Sequence, residues 1–187
     1  MATTSYTSQG CKLYWLNQSA SPVVVASAAQ MVGFQGLGGK RGKEDVTSMD
    51  SSGYKEYAPK LIDPGEIAID LIWDFTDANH KLVQTLAQTA QFNLNAEYGK
   101  QIYPFFFGAA DGTTAPTWDA TNKVLIPPVT ASPKTYTRSG FLFAGYFSMF
   151  QVNVPVDGII KVKTGIQTSG SIETIVFGAS ATVGETI

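Results

Sequence analysis

DPGEIAIDLIW, at residues 63–73, is the stretch from which the fold can be deduced. Pro64 presets φ at the first central position of a turn, and Gly65 accepts a positive φ at the second. Apolar and polar side chains then alternate along residues 66–73. One face carries Ile67, Ile69, Leu71 and Trp73, and the other carries Glu66, Ala68, Asp70 and Ile72. This period of two predicts a turn followed by a β-strand that is buried on one face.

An amphipathic helix is expected directly after this strand. Thr76 can cap the helix, and Asp77 lies in its first turn, where a negative charge complements the helix dipole. An apolar stripe at helical spacing contains Leu82, Val83, Leu86, Ala87 and Ala90. We therefore predict a helix over residues 77–91 that packs on the flank of a sheet, with Leu82, Val83 and Leu86 facing inward.

A long glycine-rich and polar segment, residues 36–60, precedes the strand. Its first part, GLGGKRGK at 36–43, loses much conformational entropy on ordering, so we predict a mobile loop that becomes ordered only against a partner. The stretch is not a phosphate-binding loop, because Gly39-Lys40 is followed by Arg41 rather than by Ser or Thr.

The remaining sequence is dominated by strand patterns. Strands are expected at 11–17, 23–34, 92–98, 102–107, 123–129, 139–154, 159–168 and 172–177, with a short helix through the Ala-rich middle of 23–34 as an alternative. Residues 109–122 are predicted as a loop and Ser169-Gly170-Ser171 as a turn. Many strands with one helix predict a mostly β fold, a two-sheet β-sandwich or barrel with one flanking α-helix and a long loop. We assign the domain to residues 11–178, with an N-terminal arm at 1–10 and a C-terminal arm at 179–187.

The composition favours self-association. Charged residues make up 15% of the 187 residues, below the usual quarter, and the chain contains 18 Gly and 11 Phe. A surface with so little charge is expected to be covered by other copies of the chain. The net charge of −2 gives no electrostatic reason to bind nucleic acid strongly.

Catalytic and metal-binding patterns are missing from the sequence. His80 is the single histidine and lies off the apolar stripe, so it is expected on the solvated surface; Cys11 is the single cysteine. Glu66 and Asp70 are about 13 Å apart by strand rise, beyond the roughly 5–9.5 Å of glycosidase carboxylates. We expect no enzyme activity, no cofactor, no signal peptide and no membrane anchor.

Two groups of residues carry a resemblance to a known family. The first is KEDVTSMDSSG at 43–53 with KEY at 55–57 and DPGEI at 63–67; the second is SGF at 139–141 through FS at 147–148, with TSGSI at 168–172. Together with the order of elements, these segments resemble the major tail tube proteins of phages, of the long-tailed siphophage type, over residues 23–177. The loop at 109–132 is longer than the family pattern.

The resemblance implies a sandwich whose copies form hexameric rings that stack into a tube, with one sheet of each subunit joining an inner β-barrel around the lumen. The long loop would reach the neighbouring ring, and the two terminal arms would bridge subunits. The residues expected in the inter-ring contact are Lys40, Arg41, Lys43, Glu44, Asp45, Asp50, Tyr54 and Tyr57.

The resemblance also implies partners and a location. The partners are the protein itself, the tape measure protein, the tail terminator and the tail-tip proteins, and DNA passes through without specific binding. The location is the tail of the virion, after assembly in the cytoplasm of the bacterial host.

The lumen is expected to be lined by the polar face of the strand at 66–73. The candidates are Glu66, Asp70 and Asp74, because carboxylates repel the DNA backbone over a Debye length of about 8–10 Å. Lys161 and Lys163 are expected outside the lumen, or paired with these acids on the neighbouring strand.

Two alternatives to a non-contractile tail tube are compatible with the sequence. One is a carbohydrate-binding or adhesin-like sandwich module that uses exposed aromatic residues such as Trp118 and Tyr57. The other is a related tube subunit from a contractile tail or a secretion system.

Overall fold

The computed structural model describes residues 11–17, 24–27, 30–48, 53–88, 101–106, 114–121 and 124–181. The N-terminal arm, the strand predicted at 92–98, Asp50, and the last residues of the predicted helix and of the C-terminal arm lie outside these ranges. The first residues of the predicted C-terminal arm pair with their own chain, since Ser180 forms a β-bridge with Thr135.

Eleven strands and one helix make up the described part of the chain. They are β1 (Lys12–Asn17), β2 (Val24–Ser27), β3 (Met31–Gln35), β4 (Lys40–Asp45), β5 (Tyr57–Asp63), β6 (Glu66–Ile72), α1 (Ala78–Gln88), β7 (Gln101–Phe106), β8 (Thr117–Asp119), β9 (Val124–Ile126), β10 (Ser139–Asn153) and β11 (Lys161–Ile175). The prediction of a mostly β fold with one helix is confirmed.

The main sheet has seven antiparallel strands in the order β2-β1-β7-β10-β11-β6-β3. Its two edges, β2 and β3, are consecutive in the chain, and Ser27 and Met31 are only four residues apart. Four residues span at most about 14 Å, whereas the edges of a flat seven-stranded sheet lie about 29 Å apart. The sheet must therefore curl strongly, so that one continuous sheet supplies two facing layers.

The inner face of this curled sheet forms the core. The alternation predicted for β6 is confirmed, because Ile67, Ile69 and Leu71 are buried and the intervening residues are not. Other strands contribute Leu13, Trp15, Phe143, Phe147 and Ile166 to the same cluster. The Trp15 and Phe147 rings meet edge to face, with centroids 5.5 Å apart. The side chains of four strands, β1, β6, β10 and β11, thus share one interior.

Helix α1 packs against this core through its apolar stripe. Val83 is buried, and the half-buried Leu82 and Leu86 lie against the same cluster. The N-cap is Asp77, since the Asn79 N–H donates to Asp77 Oδ1 at 2.7 Å. The prediction of Thr76 as the cap is wrong, because Asp74 Oδ1 engages both the Thr76 N–H and hydroxyl at 2.7 Å.

A second, smaller core lies around Tyr14 and Leu16 of β1. The β8–β9 hairpin covers it with Leu125, and Trp118 packs against it half-buried. This hairpin occupies part of the region predicted as a loop at 109–122. Its three-residue strands are too short to show an alternation in the sequence.

Two further predictions about strands are wrong. The stretch 23–34 forms β2 and β3 rather than one strand, with Gln30 between them at a φ of 55°. The predicted turn at Ser169–Ser171 is a bulge within β11, because the partners change from Ala144 with Ser169 to Phe143 with Ile172. Gly170, at a φ of 85°, supplies the backbone conformation that this bulge requires.

The prediction of a mobile loop at 36–60 is also corrected by the structure. This segment contains β4 and, after the tip, β5, which pair as a separate two-stranded hairpin. Every residue of β4 is exposed, and in β5 only Ala58 is partly buried. A strand that is exposed on both faces has no apolar alternation, so its sequence looks like that of a loop.

Candidate functional site

The outer face of β10, β11, β6 and β3 is a polar surface that opposes the core. Lys163 lies directly opposite Asp70, and Gln167 lies directly opposite Glu66. Directly opposite residues of antiparallel strands project from the same face. The two lysines predicted outside the lumen or beside the acids, Lys161 and Lys163, therefore share a face with Glu66 and Asp70.

The side chain of Glu66 reaches across the neighbouring strand, β11, on this face. Its Oε1 accepts a hydrogen bond from Ser148 Oγ of β10 at 2.5 Å, although β11 runs between β6 and β10. Gly165 of β11 makes this possible, since a Cβ there would overlap the Glu66 carboxylate and lie 2.8 Å from Ser148 Oγ. The glycine leaves the space that the carboxylate fills.

Asp70 has the same relationship with the strand on the other side of β6. It is opposite Gly33 of β3, and a Cβ on Gly33 would lie 3.1 Å from Asp70 Oδ2. Each carboxylate of β6 thus lies over a glycine of a neighbouring strand. The charges are held close to the sheet instead of projecting from it.

Asp74 lies away from this face. β6 ends at Ile72, and Asp74 belongs to the turn that leads into α1. Hydrogen bonds from the side chain and the backbone of Thr76 lower the pKa of Asp74. The structure therefore brings together two of the three predicted lumen residues, Glu66 and Asp70, on one strand face.

His80 is completely buried, so the prediction of a solvated surface position is wrong. It follows the Asp77 cap by one turn and points back to it, with Nε2 at 4.0 Å from Asp77 Oδ2. Its Nδ1 accepts the Asp74 N–H at 3.1 Å, and its ring stacks on Trp73 at 5.3 Å between centroids. His80 thus fixes the junction of β6 and α1.

The β4–β5 hairpin carries most of the residues predicted for the inter-ring contact. Lys60 pairs with Glu44 at 3.6 Å, and Lys55 pairs with Asp45 at 3.9 Å. The Lys43 ammonium lies 4.1 Å from the centre of the Tyr57 ring. Hydrogen bonds from Thr47 lower the pKa of Asp45. Of the other predicted residues, Lys40 and Arg41 lie exposed on β4, and Tyr54 lies exposed near the tip.

This hairpin also exposes apolar side chains. Leu61 is 93% exposed and Tyr54 is 82% exposed. A two-stranded hairpin with no buried face is marginally stable by itself, and exposed apolar side chains in a cluster mark a contact surface. The sequence signal that could have revealed it is the YAPKLI segment at 57–62, whose apolar residues no helix or buried strand explains.

The two aromatic residues considered for carbohydrate binding do not form an exposed platform. Trp118 packs against the second core, and the Lys43 ammonium lies over the ring of Tyr57. They belong to two separate hairpins, β8–β9 and β4–β5.

A family model described as phage tail tube, TTP, lambda-like, matches residues 4–176. The chain belongs to the lambda-like phage tail tube family. It is a structural tail tube subunit and not an enzyme, as the sequence predicted. No curated protein matches the chain by sequence.

Solved structures share the fold of this tail tube protein at low sequence identity. The SPP1 tail tube aligns with a TM-score of 0.51 and 12% identity, covering 96% of this chain and 83% of that one. The tail of the empty GTA particle gives 0.52 and 10%, with 92% and 100% covered. A chain of the anti-feeding prophage baseplate gives 0.56 and 5%, with 94% and 97% covered. In the described part of the tail tube protein, no helix has the length and hydropathy to span a membrane.

Proposed function

We propose that the protein forms hexameric rings that stack into the tube of a non-contractile phage tail, and that the lumen conducts the viral genome during ejection. The observation that carries this proposal is the projecting β4–β5 hairpin, whose apolar side chains have no cover within the described chain. Sixfold symmetry is stated for the anti-feeding prophage baseplate and the GTA tail, which share this fold.

The rings would close through the edges of the main sheet. The edge strand β3, MVGFQ, contains no charged residue and no proline, the devices that usually protect an edge from pairing. Pairing of sheets between subunits would remove this edge and build a barrel around the lumen. In such a ring the polar face of β10, β11, β6 and β3 faces the lumen, because its reverse face is the core.

The lumen wall would then carry Glu66 and Asp70, whereas Asp74 lies in the turn after the strand. Lys163 is directly opposite Asp70, so the wall is of mixed charge around Asp70 and acidic around Glu66. A wall with balanced charges binds DNA weakly, because the affinity for DNA grows with each phosphate that Lys or Arg neutralises.

The hairpin would make the inter-ring contact, through the residues expected from the sequence. Two exposed ion pairs, Lys60 with Glu44 and Lys55 with Asp45, connect its two arms. The proposed location is the tail of the virion, after assembly in the host cytoplasm. The proposed further partners are the tape measure, terminator and tail-tip proteins.

Electron microscopy of the concentrated, purified protein tests this proposal. We expect rings with sixfold symmetry and tubes built from them, and sedimentation that shifts from monomer to large assemblies as the concentration rises. A protein that stays monomeric at high concentration, and that binds sugars on a glycan array, would instead support the sandwich binding module.

A further inference from the structure

The two most exposed large apolar side chains of the described residues are Leu61 and Val156. Leu61 is on β5 of the projecting hairpin, and Val156 is in the connection between β10 and β11. Neither side chain lies in the core or on the polar face, so neither surface accounts for its exposure.

Leu61 belongs to a small apolar surface. Tyr57, Pro59 and Leu61 lie close together along β5. Leu61 is in a β-bulge, because β5 has two residues, 60 and 61, where β4 has one, Gly42. All three are exposed. We name these three residues the hairpin patch.

Val156 belongs to a second apolar surface. Val152, Val154, Val156 and Ile159 are each more than half exposed. Within residues 151–160, Asp157 is the single charged residue. We name the four apolar residues the valine tip.

The two surfaces lie at opposite ends of strand β6. The Thr168 N–H donates to Gly65 O at 3.1 Å, which fixes the base of the β4–β5 hairpin beside the start of β6. The Trp73 N–H donates to Ile160 O at 3.0 Å, which fixes the valine tip beside its end. The seven residues of β6 lie between the anchors at Gly65 and Trp73, a distance of about 26 Å along the strand.

The geometry points to a head-to-tail contact in which the hairpin patch of one subunit packs against the valine tip of a subunit in the next ring. This inference rests on the proposed stacking of rings and names the surface that receives the hairpin. Because the hairpin patch and the valine tip are at opposite ends of β6, they cannot contact each other within one subunit. A contact between two different surfaces at opposite ends of a subunit can repeat from one ring to the next and so build a filament, and the burial of apolar area stabilises it.

Cysteine cross-linking tests the pairing directly. Burial raises the pKa of the Cys11 thiol to about 11, so this native cysteine stays protonated and unreactive near neutral pH. The double variant Leu61→Cys with Val156→Cys should give, on oxidation of assembled tubes, a ladder of covalent multimers on a non-reducing gel. Each single variant should give no ladder. A dimer from Leu61→Cys alone would mean a symmetric contact and would overturn the inference.

Introducing a charge at either surface tests the same contact through its effect on tube assembly. Leu61→Glu and Val156→Glu should each stop growth at single rings, with the thermal unfolding of the monomer unchanged because both positions are exposed. A mixture of the two variants retains one intact hairpin patch and one intact valine tip, and should form pairs of rings but no tubes. Val176→Glu, at an exposed apolar residue just after β11 and outside both surfaces, is the matched control and should still form tubes. If it stops growth as well, the loss of tubes in the other two variants does not report the contact between the hairpin patch and the valine tip.

The outcomes separate this inference from the proposed function. If the unmodified protein forms no rings or tubes, the proposed function fails. If it forms tubes and both glutamate variants also do, the proposed function stands and the contact between the hairpin patch and the valine tip is excluded.

Discussion

Glu66 on β6 and Ser148 on β10 share a hydrogen bond of 2.5 Å across the intervening strand β11. The bond exists because position 165, between them, is a glycine. A side chain of one strand thus contacts a second-neighbour strand, which ties three strands of the polar face together.

This relationship predicts different costs for alanine at two glycines. At Gly165 the new Cβ would meet only the ends of the Glu66 and Ser148 side chains, which can rotate away. At Gly145 it would lie 2.8 Å from the backbone oxygen of Gln167, which cannot move without the strand. We expect Gly145→Ala to cost about 1–3 kcal/mol and Gly165→Ala about 1 kcal/mol, the worth of one hydrogen bond.

Urea denaturation of the monomer measures both unfolding free energies. An equal loss in the two variants would show that Glu66 and Ser148 are as immobile as the backbone. Ser148→Ala, which removes the same hydrogen bond without adding an atom, is the control for Gly165→Ala.

The helix provides a second stability prediction. Leu86 is half-buried against the core, so Leu86→Ala should cost about 2 kcal/mol, the lower end of the range for buried leucines. Lys81→Ala, on the exposed face of the same helix, should change the unfolding free energy by less than about 0.5 kcal/mol. If thermal or chemical unfolding shows no difference between the two variants, the apolar stripe does not contribute to the stability of the monomer.

The turn before the helix makes stability depend on pH. The pKa of Asp74 is lowered from 3.8 by its hydrogen bonds with Thr76. The folded state therefore binds this proton less readily than the unfolded state, so the contribution of Asp74 is complete above pH 3.8 and is lost as the pH falls through the lower folded-state value.

Thermal unfolding of the unmodified protein and of Asp74→Ala, measured from pH 7 to pH 2, tests this sign. The variant should have the lower Tm at neutral pH, and the difference should shrink below about pH 4. A difference that stays constant down to pH 2 would mean that the ionised carboxylate does not matter to the turn.

The parts of the fold that the sequence predicts are those where one face is buried. The alternation of β6 and the stripe of α1 are visible because core residues such as Ile69 and Val83 recur at a fixed period. The β4–β5 hairpin has no buried face within the described chain, and contacts across it, such as Lys43 with Tyr57, leave no period in the sequence.

The position of His80 and the mixed charge of the polar face depend on three-dimensional neighbours. A histidine off the apolar stripe is normally solvated, but the turn at Asp74 and the ring of Trp73 enclose this one. The lysines of β11 share a face with the acids of β6 because both strands turn their apolar face to the core, but the position of Lys163 directly opposite Asp70 depends on the register in which the two strands pair. Strand order and register are not encoded in the pattern of either strand alone.

The polar face gives the last prediction, which concerns the passage of DNA. If this face lines the lumen, Glu66→Lys with Asp70→Lys adds two positive charges beside Lys161 and Lys163. Each lysine that neutralises a phosphate strengthens the hold on DNA and makes it dependent on salt. We expect the double variant to assemble tubes and to eject DNA slowly, and the rate to recover as the salt concentration rises.

Two matched variants separate charge from shape in a phage complemented with the altered protein. Glu66→Gln with Asp70→Asn keeps the size of both side chains and should slow ejection less than the lysine variant. Lys161→Glu with Lys163→Glu alters the same face with the opposite sign and should not slow ejection. A normal ejection rate in Glu66→Lys with Asp70→Lys, from tubes shown to be intact by microscopy, would exclude this face from the lumen. A slow rate that salt does not relieve would point to a distorted tube rather than to phosphate binding, since screening weakens only the charge interaction.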